Sequence, residues 1–185
     1  MLCVPPVGGG VAGGAVPGPG PYSYIRLLIS DGDVIQAGTA GTDCMLVTNV
    51  KLFATAGSST DLIDGSGIAT ASHFFLNDTR SAPSFAFDKG GGDNTASWIS
   101  RRIVANGGYP IHLTYQFPSP ATFRKMVVHC NFNAYPGLPI TDQLVAPKDF
   151  RIQGSVAGFG TDTVDLAAFS GQVSWGVSED RVFVW

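Results

Sequence analysis

Charge is what this chain has least of. Only 14% of its 185 residues are Asp, Glu, Lys or Arg, against roughly 25% in an ordinary soluble domain. So few charges solvate a free surface weakly, which predicts that a partner covers part of it. The net charge is −3, with no run of Lys or Arg. Attraction to a phosphate backbone therefore has no source, and a nucleic-acid partner is not expected. No apolar run approaches the roughly 20 residues of a membrane helix, so membrane insertion is not expected either. The N-terminus lacks the basic start and continuous apolar segment of a secretory signal. Cysteines number three, Cys3, Cys44 and Cys130, far apart and without a CxxC. They read as free thiols of a protein made in a reducing cytoplasm.

Catalytic patterns are missing as well. Gly154-Ser155 is not set in GxSxG, so it is no nucleophile elbow. His73, His112 and His129 fall on three separate segments, with no HxH or HExxH spacing. His112 and His129 read as ordinary sheet residues. Lys89 precedes Gly90, Gly91 and Gly92 and no helix follows, so a phosphate loop is not indicated. These absences predict a protein that is not an enzyme.

What is present is glycine, proline and alternation. Residues 1–21 form a Gly/Pro-rich arm that cannot build a core of its own. Its apolar and proline positions, Val4, Pro5, Pro6, Val7, Val11, Val16, Pro17 and Pro19, suit docking on another surface. Glycine permits close approach and proline limits the entropy lost on ordering. The arm is expected to lie along a neighbouring subunit in preference to its own domain.

Residues 22–185 read as one domain of many short strands. Tyr22 to Ser30 is an apolar strand, and Asp31-Gly32-Asp33 reads as a turn. Met45 to Thr55 is a strand with Val50, Leu52 and Ala54 on one face and Asn49, Lys51 and Phe53 on the other. Residues 57–67 are a loop, and Ile68 to Phe75 is a short extended run. Ile111 to Phe117 alternates, with Ile111, Leu113, Tyr115 and Phe117 inward, until Pro118 and Pro120 end it. Phe123 to Phe132 places Met126, Val128 and Cys130 on one face. Residues 133–147 read as a long loop with three prolines. Phe150 to Val156, Thr163 to Phe169 and Arg181 to Trp185 complete the set. Frequent Gly and Pro turns between such strands predict an all-β antiparallel sandwich.

One stretch organises the rest. Pro83 to Trp98 sets Phe87-Asp88 before a glycine-rich bend and closes on Trp98. Asp88 can accept amides of the bend, and Trp98 can plug one end of the core. Ala86-Phe87-Asp88, Trp98, then Ala146-Pro147-Lys148-Asp149-Phe150, Gly154-Ser155 and Glu179-Asp180-Arg181-Val182-Phe183 follow in order. In that order they resemble the discoidin domain, the coagulation-factor C-type or galactose-binding-like jelly roll. The opening Tyr22-Ser23-Tyr24-Ile25-Arg26-Leu27 resembles the first strand of such domains in bacteriophage tail and other virion proteins.

The resemblance implies a jelly-roll topology and a structural calcium beside the Phe-Asp turn, with no other cofactor. Asp88 and Glu179 match its ligands. Ala96 stands where a Thr is usual, and Thr95 or Asp93 is the substitute. The alternative is that Asp88 caps the turn and Glu179 pairs with Arg181 or another cation. The resemblance also implies a sugar site on loops at one end of the barrel. Those loops carry Phe74, Phe75, Tyr109 and Tyr135, with Asn131 and Asn133, and exposed aromatics there serve a glycan or a protein partner equally well. Val156-Ala157-Gly158-Phe159 departs from the usual Asn-Asp-Gly and Trp. Taken together, the resemblance implies a virion structural protein made in the host cytoplasm and assembled with other virion proteins. The alternative is a module that attaches the particle to a host surface glycan.

Overall fold

The computed structural model describes residues 20–74, 81–88, 97–100, 103–131 and 142–185, with the backbone alone at 36, 39–42 and 142. Among the described residues ten strands follow in order: β1 (Tyr22–Gln36), β2 (Thr39–Val47), β3 (Asn49–Phe53), β4 (Ile68–Ala71), β5 (Trp98–Ile99), β6 (Ile111–Ala121), β7 (Lys125–Asn131), β8 (Asp142–Ser155), β9 (Val164–Phe169) and β10 (Ser178–Val184). Seven of them form one sheet, ordered β4-β6-β1-β8-β2-β5, with β9 added to β8. The other three form a second sheet, β10-β7-β3. Among the described residues the only helical turns are two short 3₁₀ segments, Pro83–Phe87 and Val104–Asn106. The expected all-β sandwich is the observed architecture. One pair departs from antiparallel order, because β2 runs parallel to β8, with Cys44 opposite Leu144 and Met45 opposite Val145.

The sandwich is held by alternation. In β1, Ile25, Leu27 and Ile29 point inward and are buried, as are Ile111, Leu113, Tyr115 and Phe117 in β6. From the second sheet, Met126, Val128 and Cys130 of β7 and Val50 and Leu52 of β3 close over them. Aromatic rings carry the contact across the gap. Phe150 of β8 meets Phe183 of β10 edge-on at 4.9 Å between centroids. In a second cluster Phe123 is the hub, with Phe117, Tyr22 and Trp185 packed around it. Trp98 is fully buried, as its place at one end of the core predicts, and its indole N–H donates to the His73 carbonyl at 3.2 Å.

Four expectations need correction. Met45 to Thr55 is not one strand: β2 ends at Val47 in the large sheet and β3 begins at Asn49 in the small one. Thr48 alone makes the change of sheet, the kind of corner a sandwich needs where a strand switches layers. The Thr48 amide donates to the His129 carbonyl at 2.9 Å, and its hydroxyl oxygen accepts the Asn131 amide at 2.9 Å and the Ser97 hydroxyl at 3.1 Å.

Asp31-Gly32-Asp33 is not a turn but an irregular stretch inside β1, where the register with β8 shifts on both sides of Asp31. The Asp31 carboxylate accepts the Gly32 amide at 2.9 Å and the Lys148 ammonium at 2.6 Å. Turn chemistry here shapes a bulge instead of a reversal. A Cβ at Gly32 would lie 2.5 Å from the Tyr109 hydroxyl and 2.8 Å from a Val145 methyl, so only glycine fits.

Pro118 and Pro120 do not end β6. They sit in a register break between the Tyr24–Gln116 and Tyr22–Ala121 pairs, after which the strand resumes. Finally, β8 begins at Asp142, inside the span expected as a loop. Pro147 is accommodated opposite Gly32, at a register shift, where a missing N–H is tolerated.

The sheet switch yields a measurable prediction. Thr48→Val keeps the shape but removes the acceptor from a buried amide, which costs roughly 1–3 kcal/mol. The urea midpoint should fall accordingly at unchanged slope, and an unchanged midpoint would show that the corner does not need the hydroxyl.

Candidate ligand-binding face

With Ile25, Leu27 and Ile29 turned inward, the alternate residues of β1 face outward. These are Tyr24, Arg26, Leu28 and Ser30. Register then sets their neighbours. Arg26 lies between Thr114 of β6 and Gln153 of β8, and Leu28 between His112 and Arg151. Beyond β8, Asp165 of β9 lies opposite Gln153. The outer face of the large sheet thus gathers two arginines, a carboxylate, an amide and an imidazole from four strands.

These side chains are cross-linked. Arg26 Nε donates to Gln153 Oε1 at 2.8 Å, Gln153 Nε2 donates to Asp165 Oδ1 at 2.6 Å, and an Arg151 terminal nitrogen donates to Asp165 Oδ2 at 3.1 Å. Gln153 is buried beneath the others and braces them. His112 Nδ1 lies 2.9 Å from the Ser72 hydroxyl, whose oxygen also accepts the His112 amide at 2.7 Å. Burial first, then Arg26 and His73, lowers the His112 pKa, so the ring is neutral at pH 7. The pair ties the end of β4 to β6.

Each end of this face carries an aromatic. At one end the β8–β9 connection presents Phe159. The Asp162 carboxylate accepts the Val156 amide at 2.6 Å, the Ala157 amide at 2.7 Å and the Ser155 hydroxyl at 2.8 Å. The Ser155 oxygen in turn accepts the Gly158 and Phe159 amides, both at 2.8 Å. Within this clasp Phe159 has φ 67°, a left-handed conformation that a bulky side chain rarely adopts. Its ring lies 4.2 Å from the Arg26 guanidinium and meets Tyr24 edge-on at 6.1 Å. At the other end is a groove of about 300 Å³, lined by Leu28, Ser30, Tyr109, Pro110 and Arg151. The Tyr109 hydroxyl points inward and is buried without a hydrogen-bond partner. Burial, with Asp43 and Asp31 adding to it, raises its pKa and keeps it protonated.

The residues expected from sequence are placed as follows. Tyr109 lines the groove. Phe74 packs partly buried against the core, and Asn131 is 5% exposed with its amide on Thr48, so neither stands out on a loop. Asp88 is exposed at the end of the Pro83–Phe87 turn, and its carbonyl accepts the Asn49 amide nitrogen at 3.0 Å. Asn49 Oδ1 beside it is buried and unpartnered. Glu179 follows the alternative reading. Its Oε1 accepts Arg181 Nε at 2.9 Å and its Oε2 accepts the Gly176 amide at 2.6 Å. Arg181 is itself stacked on Trp175 at 4.2 Å. Both Glu179 oxygens are engaged beside a guanidinium, which does not suit a calcium ligand. Among the described residues no three His, Cys, Asp or Glu side chains gather to hold one. Thr95, Asp93, Phe75, Asn133, Tyr135 and the arm positions Val4, Pro5, Pro6, Val7, Val11, Val16, Pro17 and Pro19 lie outside the described residues.

Sequence reasoning missed Arg26, Arg151, Asp165 and Phe159. One signal was available: the outward positions of β1 carry Tyr, Arg and Leu where short polar residues would suffice.

No family model matches the chain, and no curated protein and no solved structure matches it. The discoidin likeness therefore rests on the order of its motifs.

The clasp gives a pH prediction. The Ala157 amide, then the Ser155 hydroxyl, hold the Asp162 pKa below the usual carboxylate range. A depressed folded pKa contributes stability above the unfolded value, about 4, and that contribution is lost as pH falls through the folded value. Melting temperature should therefore drop more steeply below about pH 4 in the parent than in Asp162→Ala. Parallel curves for the two proteins would refute the clasp.

Proposed function

We propose that this chain is a non-enzymatic structural protein of a tailed-bacteriophage virion. In this reading a discoidin-like module docks on neighbouring subunits through its arm and one flank of the sandwich. Its place is the tail, baseplate or fibre, or a decoration on the capsid. The observation that carries the docking is the flank formed by β10. Among the described residues β10 pairs with β7 alone and stands at the edge of its sheet. Of its outward positions Ser178 and Asp180 are polar, while the last two are apolar, with Val182 59% and Val184 44% exposed, and Val177 just before the strand is 58% exposed. An unpaired edge whose end carries exposed valines is a surface that a partner covers. The arm joins the domain at the same corner, since Tyr22 packs on Phe123 and Phe123 on Trp185, which follows β10. The charge-poor composition agrees with such covering.

A second reading, attachment to a surface glycan, is favoured by a separate observation. The aromatic and hydrogen-bonding groups on the outer face of the large sheet lie away from the β10 flank.

The docking reading is tested on particles. A chain lacking residues 1–21, and separately the double variant Val182→Asp/Val184→Asp, should fold and remain soluble yet fail to incorporate. Incorporation of both at parent levels would overturn it.

A further inference from the structure

We propose that the outer face of the seven-stranded sheet binds an extended oligosaccharide carrying a carboxylate, with the acid group seated at Arg151. The inference rests on the second reading above and gives it a location and a ligand class.

Length comes first. Outward residues of β1 recur every second position, so the path from Ser30 at the groove to Tyr24 beside Phe159 covers roughly 20 Å. That accommodates several sugar rings in a row and is too long for one. Both ends of the path are aromatic. Tyr109 lines the groove, and Phe159 lies over Arg26. Rings so placed offer flat apolar surfaces to the C–H faces of sugars.

Preorganisation comes second. Between the aromatics, Arg26 and Asp165 are held in place by Gln153 from beneath, at 2.8 Å and 2.6 Å. Planar side chains already ordered lose little entropy when a ligand meets them. The same logic accounts for Phe159. A bulky residue at φ 67° is an unfavourable choice for a hairpin, and the Asp162–Ser155 clasp holds it there. The strained conformation lays its ring beside Arg26 and Tyr24.

Charge selects the acid. The face carries Arg26 and Arg151 beside Asp165, with His112 neutral, and Asp149, two positions before Arg151 on β8, has its carboxylate taken up by the Gly171 amide at 2.7 Å. An exposed guanidinium attracts an anion. Arg26 is engaged by Gln153 and Phe159. Arg151 is freer: its side chain is 58% exposed, and a single contact at 3.1 Å joins it to Asp165. Its remaining N–H groups border the groove, where a guanidinium recognises a carboxylate through two parallel hydrogen bonds. Two arginines on a negative chain fall well short of the basic surface a nucleic acid needs.

The test uses the full-length protein on an array of neutral and acidic oligosaccharides, with single-stranded DNA included, followed by calorimetry on the tightest acidic glycan. Arg151→Gln should weaken that glycan by at least about ten-fold without moving the melting temperature. The parent should bind the carboxyl-reduced form of the same glycan as weakly as Arg151→Gln binds the acid. Phe159→Gly relieves the backbone while deleting the ring, so it should also lose affinity with no loss of stability. A glycan that binds equally well to both variants, or one that is neutral, overturns this site and leaves the glycan reading standing. Binding to DNA alone, or to nothing on the array, overturns both.

Discussion

The whole architecture turns on one residue's width. Thr48 takes the chain from the seven-stranded sheet to the three-stranded one without a loop. A corner that tight buries polar backbone, and the partners for it come from Thr48: the threonine hydroxyl serves the Asn131 amide and Ser97 while its own amide reaches His129. Unpaired polar groups in a core are expensive. Once the corner is made, the two sheets are covalently adjacent, their inner faces are committed to each other, and their outer faces are defined by default. The ring contact between Phe150 and Phe183 then sets the layers together across the gap.

Among the described residues, some of the few charges of this protein are paired on its surface. Lys148 meets Asp31, Arg181 meets Glu179, Arg151 meets Asp165 and His129 meets Asp180. Exposed pairs of this kind contribute little to stability. What they do is place planar groups. Arg181, fixed by Glu179, covers Trp175, and Arg26, fixed by Gln153, covers Phe159. In both cases a hydrogen bond aims a guanidinium at an aromatic face, where a cation is attracted by the ring quadrupole. The outer surface is organised by aromatic rings with arginines laid on them more than by fields acting at a distance.

Much of the fold was legible because period-two alternation is a direct imprint of burial. Ile111, Leu113, Tyr115 and Phe117, with Met126, Val128 and Cys130, could be assigned to the core from spacing alone, and they are buried as assigned. Alternation is silent on which sheet a strand belongs to. It runs on through Thr48, so two strands looked like one. It is equally silent about irregularity. Asp-Gly-Asp carries the chemistry of a turn, and only the nearness of Tyr109 and Val145, far away in sequence, makes Gly32 a bulge residue. The face was the least legible part. Tyr109 could be picked as a loop aromatic, but Arg26, Arg151 and Asp165 acquire meaning only when β1, β8 and β9 lie side by side. Loop aromatics were expected to face solvent, and Phe74 instead packs against the core.

The pairing of β1 with β8 bears on how the protein is made. Tyr24 must find Ser155 and Gln36 must find Leu144, so β1 has to wait for a strand that is synthesised much later. Until then Ile25, Leu27 and Ile29 lack the sheet that will shelter them. Contacts so distant along the chain make folding slow, and apolar segments exposed meanwhile invite association with other nascent chains. A domain wired this way completes itself only once β8 has been made, which makes its rate of synthesis and its chaperone supply as consequential for yield as its final stability.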